Sequence, residues 1–306
     1  MSSASKNRAL RSAISRVRKR LGIPKKPFLQ PRETLAALGL RRELAIYAVR
    51  LGRISTAAYD WKERRAVARK IKATSKYASL IDKQTGYYLF RPGVIPGAME
   101  AVSSAAAVFS NKKLDHANSK KPFFSNLLEP QDLEQHPAIL EFAESQPMME
   151  AAAGYLGVLP KLHGLGIYFS PANESLKSSQ KYHIDGDELS RVKCFINVNN
   201  VGPENGPFTF IPANKSHAIR RKLGQEWERL EDNEVESLSN PGDVISLVGA
   251  PGTGALVDTA RCLHYGSRCR IGYRLVLMFH YTLHPPASRN EDGKHMGTAL
   301  LLNDNS

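Results

Sequence analysis

Tyr182-His183-Ile184-Asp185-Gly186 is the stretch of sequence around which this chain is organised. In an extended segment residues i and i+2 point to the same side, so His183 and Asp185 offer an imidazole and a carboxylate to one point in space. A further histidine, His264, follows 79 residues after Asp185. Two histidines and one carboxylate form a metal-ligand set that leaves coordination positions open, and we predict such a site here.

This ligand set is the one that non-heme Fe(II) oxygenases use. Ten residues after His264, Arg274 begins the apolar strand Leu275-Val276-Leu277-Met278-Phe279. A guanidinium at that position can hold the far carboxylate of a dicarboxylate co-substrate through a bidentate contact. Arg268 and Arg270 are alternatives for this role, although both fall in the turn that precedes the strand.

The positive charge of the chain lies in its first quarter. The 306 residues include 43 Lys and Arg against 29 Asp and Glu. Residues 1–75 hold 20 of the basic residues and 4 of the acidic ones, a balance of +16, whereas the remainder has a balance of −2. We therefore divide the chain into a basic helical extension at 1–75, an oxygenase domain at 76–288 and a C-terminal tail at 289–306.

The extension begins with an amphipathic pattern. Residues 6–30 contain nine basic side chains and no acidic one. One helical face carries Leu10, Ile14, Val17 and Leu21. Such a helix suits an anionic membrane surface, whereas nucleic acid is disfavoured because no groove-reading motif is present and aromatic residues are sparse. An acid-free start containing Ser and Arg is also typical of a mitochondrial transit peptide. A solvated helical cap is the alternative without a partner.

Cysteine usage and hydropathy bear on the compartment. Cys194, Cys262 and Cys269 show no metal-ligand spacing and cannot all pair, which favours reduced thiols in a cytosol-like compartment. No apolar run reaches the ~18 residues of a membrane-spanning helix. We therefore expect a cytoplasmic protein that can lie at the periphery of a membrane.

Helical patterns come first along the chain and short strands follow. Helices are predicted over 34–51, from the capping box at Asp60–Glu63 to about Ala73, from Pro96, from Pro137, and over Met148–Leu156. Short strands separated by turns then run from Leu165–Phe169 to Arg274–Tyr281. This order predicts an α+β fold with a mainly β core, in which helices flank an antiparallel barrel of two layers.

Alternation along Arg191–Asn199 assigns two faces to one of these strands. The face that we expect to pack outward, under helices or a second sheet, carries Val192, Cys194, Ile196 and Val198. The opposite face, which carries Lys193, Phe195, Asn197 and Asn199, is expected to line a polar interior. An Asn205-Gly206 turn and a returning strand over 207–212 follow.

Two polar segments interrupt the strands. Residues 170–181 are predicted to form a mobile loop beside the site, and residues 218–236, rich in charge, are predicted to form an exposed excursion. Variable segments of this kind select ligands on a rigid scaffold, so we expect them to choose the substrate.

Residues 84–285 resemble the phytanoyl-CoA dioxygenase family of Fe(II)/2-oxoglutarate-dependent oxygenases. The segments that carry the resemblance are, in chain order, Gly86-Tyr87-Tyr88-Leu89-Phe90, His183-Ile184-Asp185, Glu204 to Pro212 leading to Ser216-His217, Gly242-Asp243, His264-Tyr265-Gly266-Ser267 and Arg274. The resemblance implies a double-stranded β-helix, also called a jelly roll or cupin-like fold. It also implies iron held by His183, Asp185 and His264, with Arg274 on the 5-carboxylate of 2-oxoglutarate. Phe195, and Asn197 on the same face, would lie beside the co-substrate.

The implied reaction uses Fe(II), 2-oxoglutarate and O2, with ascorbate in a supporting role, and releases succinate and CO2. The substrate would be a small molecule or a lipid- or sugar-linked compound that is hydroxylated at a C–H bond. Related halogenases have a small residue in place of the carboxylate, so Asp185 favours hydroxylation. The competing hypothesis is a catalytically silent jelly-roll scaffold whose basic N-terminal helices bind an anionic membrane or nucleic acid.

Some positions depart from the family pattern or carry no assigned role. Tyr182 stands where a Trp is common, and Tyr265 displaces Ser267 by one place, so we assign Ser267 no role. Tyr168 and Tyr182 suit a pocket wall and a core equally well. The histidines without a partner at ligand spacing, which we interpret as structural or surface residues, are His217, His280 and His284.

Overall fold

The computed structural model describes residues 61–112, 123–186, 188–224 and 229–283. The predicted helices over 10–21 and 34–51, the capping residue Asp60 and the predicted tail at 289–306 lie outside these residues. In the described ranges no helix has both the length and the apolar character needed to cross a membrane.

The described residues form short strands that all pair antiparallel. In chain order they are β1 (Tyr87–Phe90), β2 (Ser125–Asn126), β3 (Lys161–Pro171), β4 (Val192–Asn197), β5 (Thr209–Phe210), β6 (Ile245–Ser246), β7 (Gly254–Asp258), β8 (His264–Tyr265) and β9 (Tyr273–Thr282). The larger sheet has the order β1-β7-β4-β9-β3-β2, and the smaller sheet has the order β6-β5-β8.

The connectivity between the two sheets identifies the fold. A β-bridge between His183 and His264 adds the segment before β4 to the free edge of β8. From β3 onward the chain therefore alternates between the two sheets. Strands β3, β4, β7 and β9 belong to the larger sheet. The segments that connect them contain His183, then β5 and β6, and then β8, and these belong to the smaller sheet. This is the double-stranded β-helix of the jelly-roll folds, as predicted.

The larger sheet buries both of its faces, and alternation along β4 separates them. Val192, Cys194 and Ile196 belong to the apolar cluster beneath the helices, which confirms their predicted outward face. Phe195 belongs to a second cluster, inside the barrel, with Phe208 and other residues between the sheets. Strand β9 alternates in the same way, because Leu277 and Phe279 join the outer cluster while Val276 and Met278 join the inner one.

Helices cover the outer face of the larger sheet. The described helical segments are α1 (residues 61–74), α2 (Ala98–Asn111), α3 (Pro130–Gln135), α4 (Ala138–Ala143), α5 (Gln146–Leu156), α6 (Ala213–Leu223) and α7 (Asp232–Glu236). Small apolar residues let α2 and α5 approach the strands closely, and Gly157 ends α5 in the left-handed conformation (φ 72°). The hydroxyl of Tyr281 on β9 donates to the carbonyl of Ala143 at 2.6 Å and ties the sheet to α4.

Two polar segments differ from what their composition suggested. The segment after β3 is held in place, because buried Gln180 donates to Asn173 Oδ1 and to the carbonyl of Ser267, both at 2.8 Å. The described residues of the charged segment contribute to α6 and α7, and Ile219, Leu230 and Val235 in it are buried. Hydropathy averages hide such sparse apolar residues on short amphipathic helices.

Helix α1 packs on the same body through one arginine. Arg64 is 6% exposed and donates from Nε to the carbonyl of Leu159 at 2.7 Å and from Nη2 to the carbonyl of Leu283 at 2.8 Å. Ala68, one turn later, is also buried, whereas Arg65 is exposed. The last part of the predicted basic extension is thus fastened to the end of β9.

Replacing Arg64 with Met should lower the free energy of unfolding by about 2 to 3 kcal/mol, because two charge-assisted hydrogen bonds to buried carbonyls are lost. Arg65→Met is the matched control and should change it by less than about 0.5 kcal/mol. Denaturant unfolding of the full chain measures both. Equal destabilisation by the two substitutions would contradict the anchoring role of Arg64.

Candidate metal centre

One antiparallel β-bridge places the two distant histidines side by side. The His183 amide donates to the His264 carbonyl at 3.0 Å, and the His264 amide donates to the His183 carbonyl at 2.9 Å. Residues that exchange both hydrogen bonds face each other directly with their side chains on the same face. The ring centroids lie 4.3 Å apart. A third backbone bond, from the Asp185 amide to the Thr259 carbonyl at 2.8 Å, fixes Asp185 beside them.

The three side chains converge as the sequence spacing predicts. One ligand atom from each of His183, Asp185 and His264 lies within 4.8 Å of the others. In each imidazole Nδ1 is hydrogen-bonded, at 2.9 Å, to the backbone carbonyl of the residue two positions earlier. That carbonyl belongs to Lys181 for His183 and to Cys262 for His264. With Nδ1–H as donor, Nε2 keeps its lone pair for a metal, and the carbonyl fixes the ring orientation.

Burial keeps both rings neutral. Burial, and then the neighbouring His264, lowers the pKa of His183 to about 3. Burial also lowers the pKa of His264 to about 4. Both rings are therefore unprotonated at physiological pH, and an unprotonated ring is the form that binds a metal.

Asp185 is held ionised by a set of donors on one of its oxygens. Oδ2 accepts a short hydrogen bond from the Thr259 hydroxyl, lies 2.8 Å from the Lys193 ammonium and lies 3.8 Å from Arg191 Nη1. Burial alone would raise the pKa of this carboxyl group, but Lys193 and then His264 and Arg191 lower it well below its usual value. These contacts orient the carboxylate beside the two imidazoles.

Arg274 is a buried cation whose contacts, in the described part of the chain, are hydroxyl groups only. The residue is 3% exposed, and Nη2 donates to Ser267 Oγ at 3.0 Å and to Ser170 Oγ at 3.5 Å. Nε and Nη1 have no hydrogen-bond partner among the described residues. Burial lowers the pKa of Arg274 to about 10, so the guanidinium stays charged at neutral pH. A buried guanidinium of this kind is stabilised by an anion, and its planar N–H donors match the two oxygens of a carboxylate.

The alternative arginines are engaged elsewhere. Arg268 makes a bidentate pair with Asp232, at 2.7 and 2.8 Å, and its guanidinium lies over the Tyr265 ring. Arg270 is exposed and lies 3.8 Å from Glu204. Of these three arginines, Arg274 is the one that enters the barrel wall.

Aromatic rings line the space beside the histidines. Phe195 stacks on Phe208 with centroids 3.7 Å apart, and Phe208 lies 5.6 Å from the His264 ring. Asn197 is 1% exposed, and its Nδ2 donates to the Leu247 carbonyl at 3.2 Å, which links the two sheets. The co-substrate contacts of Phe195 and Asn197 stay predictions.

Several residues of the centre were missed by the sequence analysis. Ser267, to which we assigned no role, contacts Arg274, since its left-handed backbone (φ 65°) turns the hydroxyl inward after the extra Tyr265. Ser170 is the cross-strand partner of Arg274, so the pairing of β3 with β9 could have identified it. Alternation along the strand placed Lys193 on the inward face with Phe195, but no role was assigned to it.

The remaining histidines separate into two groups. His217 is exposed on α6, in keeping with a surface residue. His280, which was interpreted as structural or surface, is the cross-strand partner of Lys193 and follows the inward parity of β9. His284 lies outside the described residues.

No protein-family model matches the chain, and no curated protein matches it. Solved structures do match at low identity. The EctD structure from S. alaskensis with bound Fe is 17% identical with a TM-score of 0.48, and the match covers 72% of this chain and 82% of that one. The epimerase SnoN in complex with Fe3+, alpha-ketoglutarate and nogalamycin RO is 16% identical with a TM-score of 0.45, covering 71% and 84%. AviO1 from Streptomyces viridochromogenes Tue57 is 16% identical with a TM-score of 0.44, covering 70% and 99%.

Replacing His183 with Ala should weaken binding of Fe(II), and of Co(II) as an air-stable probe, by more than the ~10–100-fold that contacts outside the ligand set contribute. His217→Ala is the control, because this exposed imidazole should not affect the metal. Anaerobic titration calorimetry measures the affinity and the number of ions bound. If both variants bind metal as the unmodified chain does, His183 is not a ligand.

Proposed function

We propose that the protein is an Fe(II)- and 2-oxoglutarate-dependent oxygenase. The observation that carries the proposal is the buried Arg274 guanidinium, which donates to two serine hydroxyls and keeps Nε and Nη1 unbonded among the described residues. It lies in the same barrel as two neutral imidazoles and one ionised carboxylate. A metal-ligand set together with a carboxylate-binding cation matches the chemistry of a dicarboxylate that chelates a metal.

The side chains fit iron in its divalent state. Imidazole nitrogens and a single carboxylate are the donors that non-heme Fe(II) centres use, and three protein ligands leave positions for the co-substrate and for O2. The hydrogen bonds from both Nδ1 atoms and the contacts to Asp185 Oδ2 orient the ligands as outer contacts do in metal proteins. When bound, the iron supplies the oxidative decarboxylation of 2-oxoglutarate and the oxidation of a substrate C–H bond.

The side chains of this protein would bind and orient the co-substrate and shield it from water. Arg274 would fix the far carboxylate of 2-oxoglutarate, with Ser170 and Ser267 steering the guanidinium. The stacked rings of Phe195 and Phe208 lie beside His264, where they would limit the access of water to the bound co-substrate. The SnoN complex contains Fe3+ and alpha-ketoglutarate and the EctD structure contains Fe, and these are the groups that we propose for this site.

We further propose hydroxylation of a small-molecule, lipid- or sugar-linked substrate and a relationship to the phytanoyl-CoA dioxygenase family. Asp185 supports oxygen transfer, since halogenation would need its position for a halide. The free-energy cost of burying a charge disfavours the competing hypothesis of a catalytically silent scaffold. A buried guanidinium without an anionic partner is costly, and a barrel without a ligand gains nothing from it.

Arg274→Leu should raise the KM for 2-oxoglutarate by about 30-fold or more, corresponding to a loss of ~2–5 kcal/mol, while Fe(II) affinity changes far less. The assay is iron-dependent release of succinate from 2-oxoglutarate, with or without a substrate. Arg270→Leu is the matched control, because that side chain is exposed.

Two outcomes would overturn the assignment. Absence of iron-dependent succinate release from the metal-loaded wild-type chain would remove the oxygenase proposal. A wild-type KM in Arg274→Leu, with a raised KM in Arg270→Leu, would move the co-substrate contact into the turn.

We also propose that the chain is cytosolic and associates with anionic membrane surfaces through its basic N-terminal part. The helix at residues 61–74 supports this, because its buried positions face the body while most of its basic residues are exposed. The exposed basic residues are Lys62, Arg65, Arg69, Lys70 and Lys72. Each basic residue near such a surface contributes ~1 kcal/mol. Cys194, Cys262 and Cys269 are buried thiols.

The full chain should co-sediment with anionic vesicles at low salt and detach at high salt, and neutral vesicles should leave it in solution. Changing Arg65, Arg69 and Lys72 together to Gln should weaken this binding. A control chain with Lys215, Arg221 and Lys222 changed to Gln should bind as before, because those exposed residues lie on α6. Failure to bind anionic vesicles at low salt would rule the association out.

A further inference from the structure

Strand β9 carries polar side chains toward the barrel interior at two separate levels. Positions 274, 276, 278 and 280 share one face, since Val276 and Met278 belong to the inner cluster. Arg274 lies at one level and His280 at the other. Six residue steps along the strand separate them, so their Cα atoms are roughly 20 Å apart. Asp185 of the metal-ligand set contacts Lys193, which is the cross-strand partner of His280.

The level of His280 is rich in nitrogen donors. His280 pairs across the sheet with Lys193, and directly opposite residues have Cβ atoms within about 5.5 Å of each other. Its Nε2 atom is buried and has no hydrogen-bond partner within the described ranges. Burial, and then the cations Lys193 and Arg191, lower the pKa of His280 well below its usual value, whereas Asp185 raises it.

Lys193 has more donors than the described residues use. Its side chain is 12% exposed, and an ammonium has three N–H donors. Among the described residues its nitrogen contacts one acceptor, Asp185 Oδ2 at 2.8 Å. When Asp185 also binds a metal, its single negative charge is shared between two cations. Lys193 is then incompletely neutralised in a buried position, which is costly without a further anion.

We propose that Lys193 and His280 bind an anionic group of the substrate, a carboxylate or a phosphate, beside Asp185 and at the end of β9 away from Arg274. This inference rests on the proposed function and adds a substrate class to it. Neutral His280 contributes a hydrogen bond, and Lys193 contributes the charge. The substrate would be held by its anionic end beside Asp185, so that a nearby C–H bond faces the metal.

The donors at the Lys193 level are selective for charge. A neutral substrate would leave the further N–H donors of the ammonium, those not used on Asp185, without a partner, whereas an anion would accept from them.

The test uses the full-length chain loaded with Fe(II) and 2-oxoglutarate under anaerobic conditions. Its probes are matched pairs: fatty acids and aromatic acids with their methyl esters, and sugar phosphates with the parent sugars. Binding is measured by titration calorimetry and by the shift in melting temperature. Aerobic incubation with mass spectrometry then identifies any hydroxylated product.

We expect binding among the anionic members, with each neutral counterpart weaker by about 30-fold or more. Lys193→Met and His280→Leu should each weaken the anionic probe more than 2-oxoglutarate, and Arg274→Leu should do the reverse. Lys193→Arg should restore binding of the probe. The matched controls, Lys222→Met and His217→Leu, change exposed residues of α6 and should leave the probe affinity unaltered.

Equal binding of charged and neutral partners would overturn the inference. So would equal losses of probe and 2-oxoglutarate in Lys193→Met and His280→Leu, since Lys193 would then only support Asp185. Both results are distinguishable from failure of the oxygenase proposal, in which the wild-type chain would release no succinate from 2-oxoglutarate.

Discussion

The site depends on two backbone hydrogen bonds between His183 and His264. These bonds align two imidazoles that are far apart in the sequence, and the strand geometry then places Asp185 on the same side. No side chain has to search for its partner, because the sheet itself sets the separation of the rings. The rest of the barrel holds that bridge in register. The larger sheet fixes both segments that lead to it, and the helices on the outer face keep the sheet rigid.

The interior contains charges that the described protein neutralises only in part. Such groups lower the stability of a fold, and a chain retains them where a ligand compensates. Arg274 and Lys193 are the two clear instances, and they differ in how they are supported. Arg274 is positioned by serine hydroxyls, which carry no charge and leave the cation at full strength. Lys193 is balanced by Asp185, so its remaining capacity depends on whether a metal shares that carboxylate.

Much of this arrangement followed from periodicity in the sequence. The i, i+2 rule placed His183 with Asp185, and alternation correctly assigned Val192, Cys194 and Ile196 to the helix-covered face. The antiparallel barrel also followed from the order of helices and short strands. These features are determined by local geometry, which repeats along the chain and can be recognised without coordinates.

The remaining features depend on contacts between distant segments. The inward turn of the Ser267 hydroxyl arises from a left-handed residue after Tyr265, and no pattern in the sequence marks that conformation. The pairing of Lys193 with Asp185 requires knowledge of which strands are neighbours. The order of residues 170–181 depends on Gln180, a polar residue that is buried because the Ser267 carbonyl and Asn173 satisfy its amide. Composition alone suggested a mobile loop there.

Arg268 has a consequence for how this protein can diversify. Its guanidinium pairs with Asp232 on α7, donates to the Gln180 carbonyl and lies over the ring of Tyr265. One side chain thereby joins the two segments that border the barrel mouth to the strand that carries His264. If one of these two segments were replaced by a loop from another barrel, the contact of that segment with Arg268 would be lost unless the other segment were replaced with it. We therefore expect the two segments to change together, in evolution or in engineering, when the substrate specificity changes.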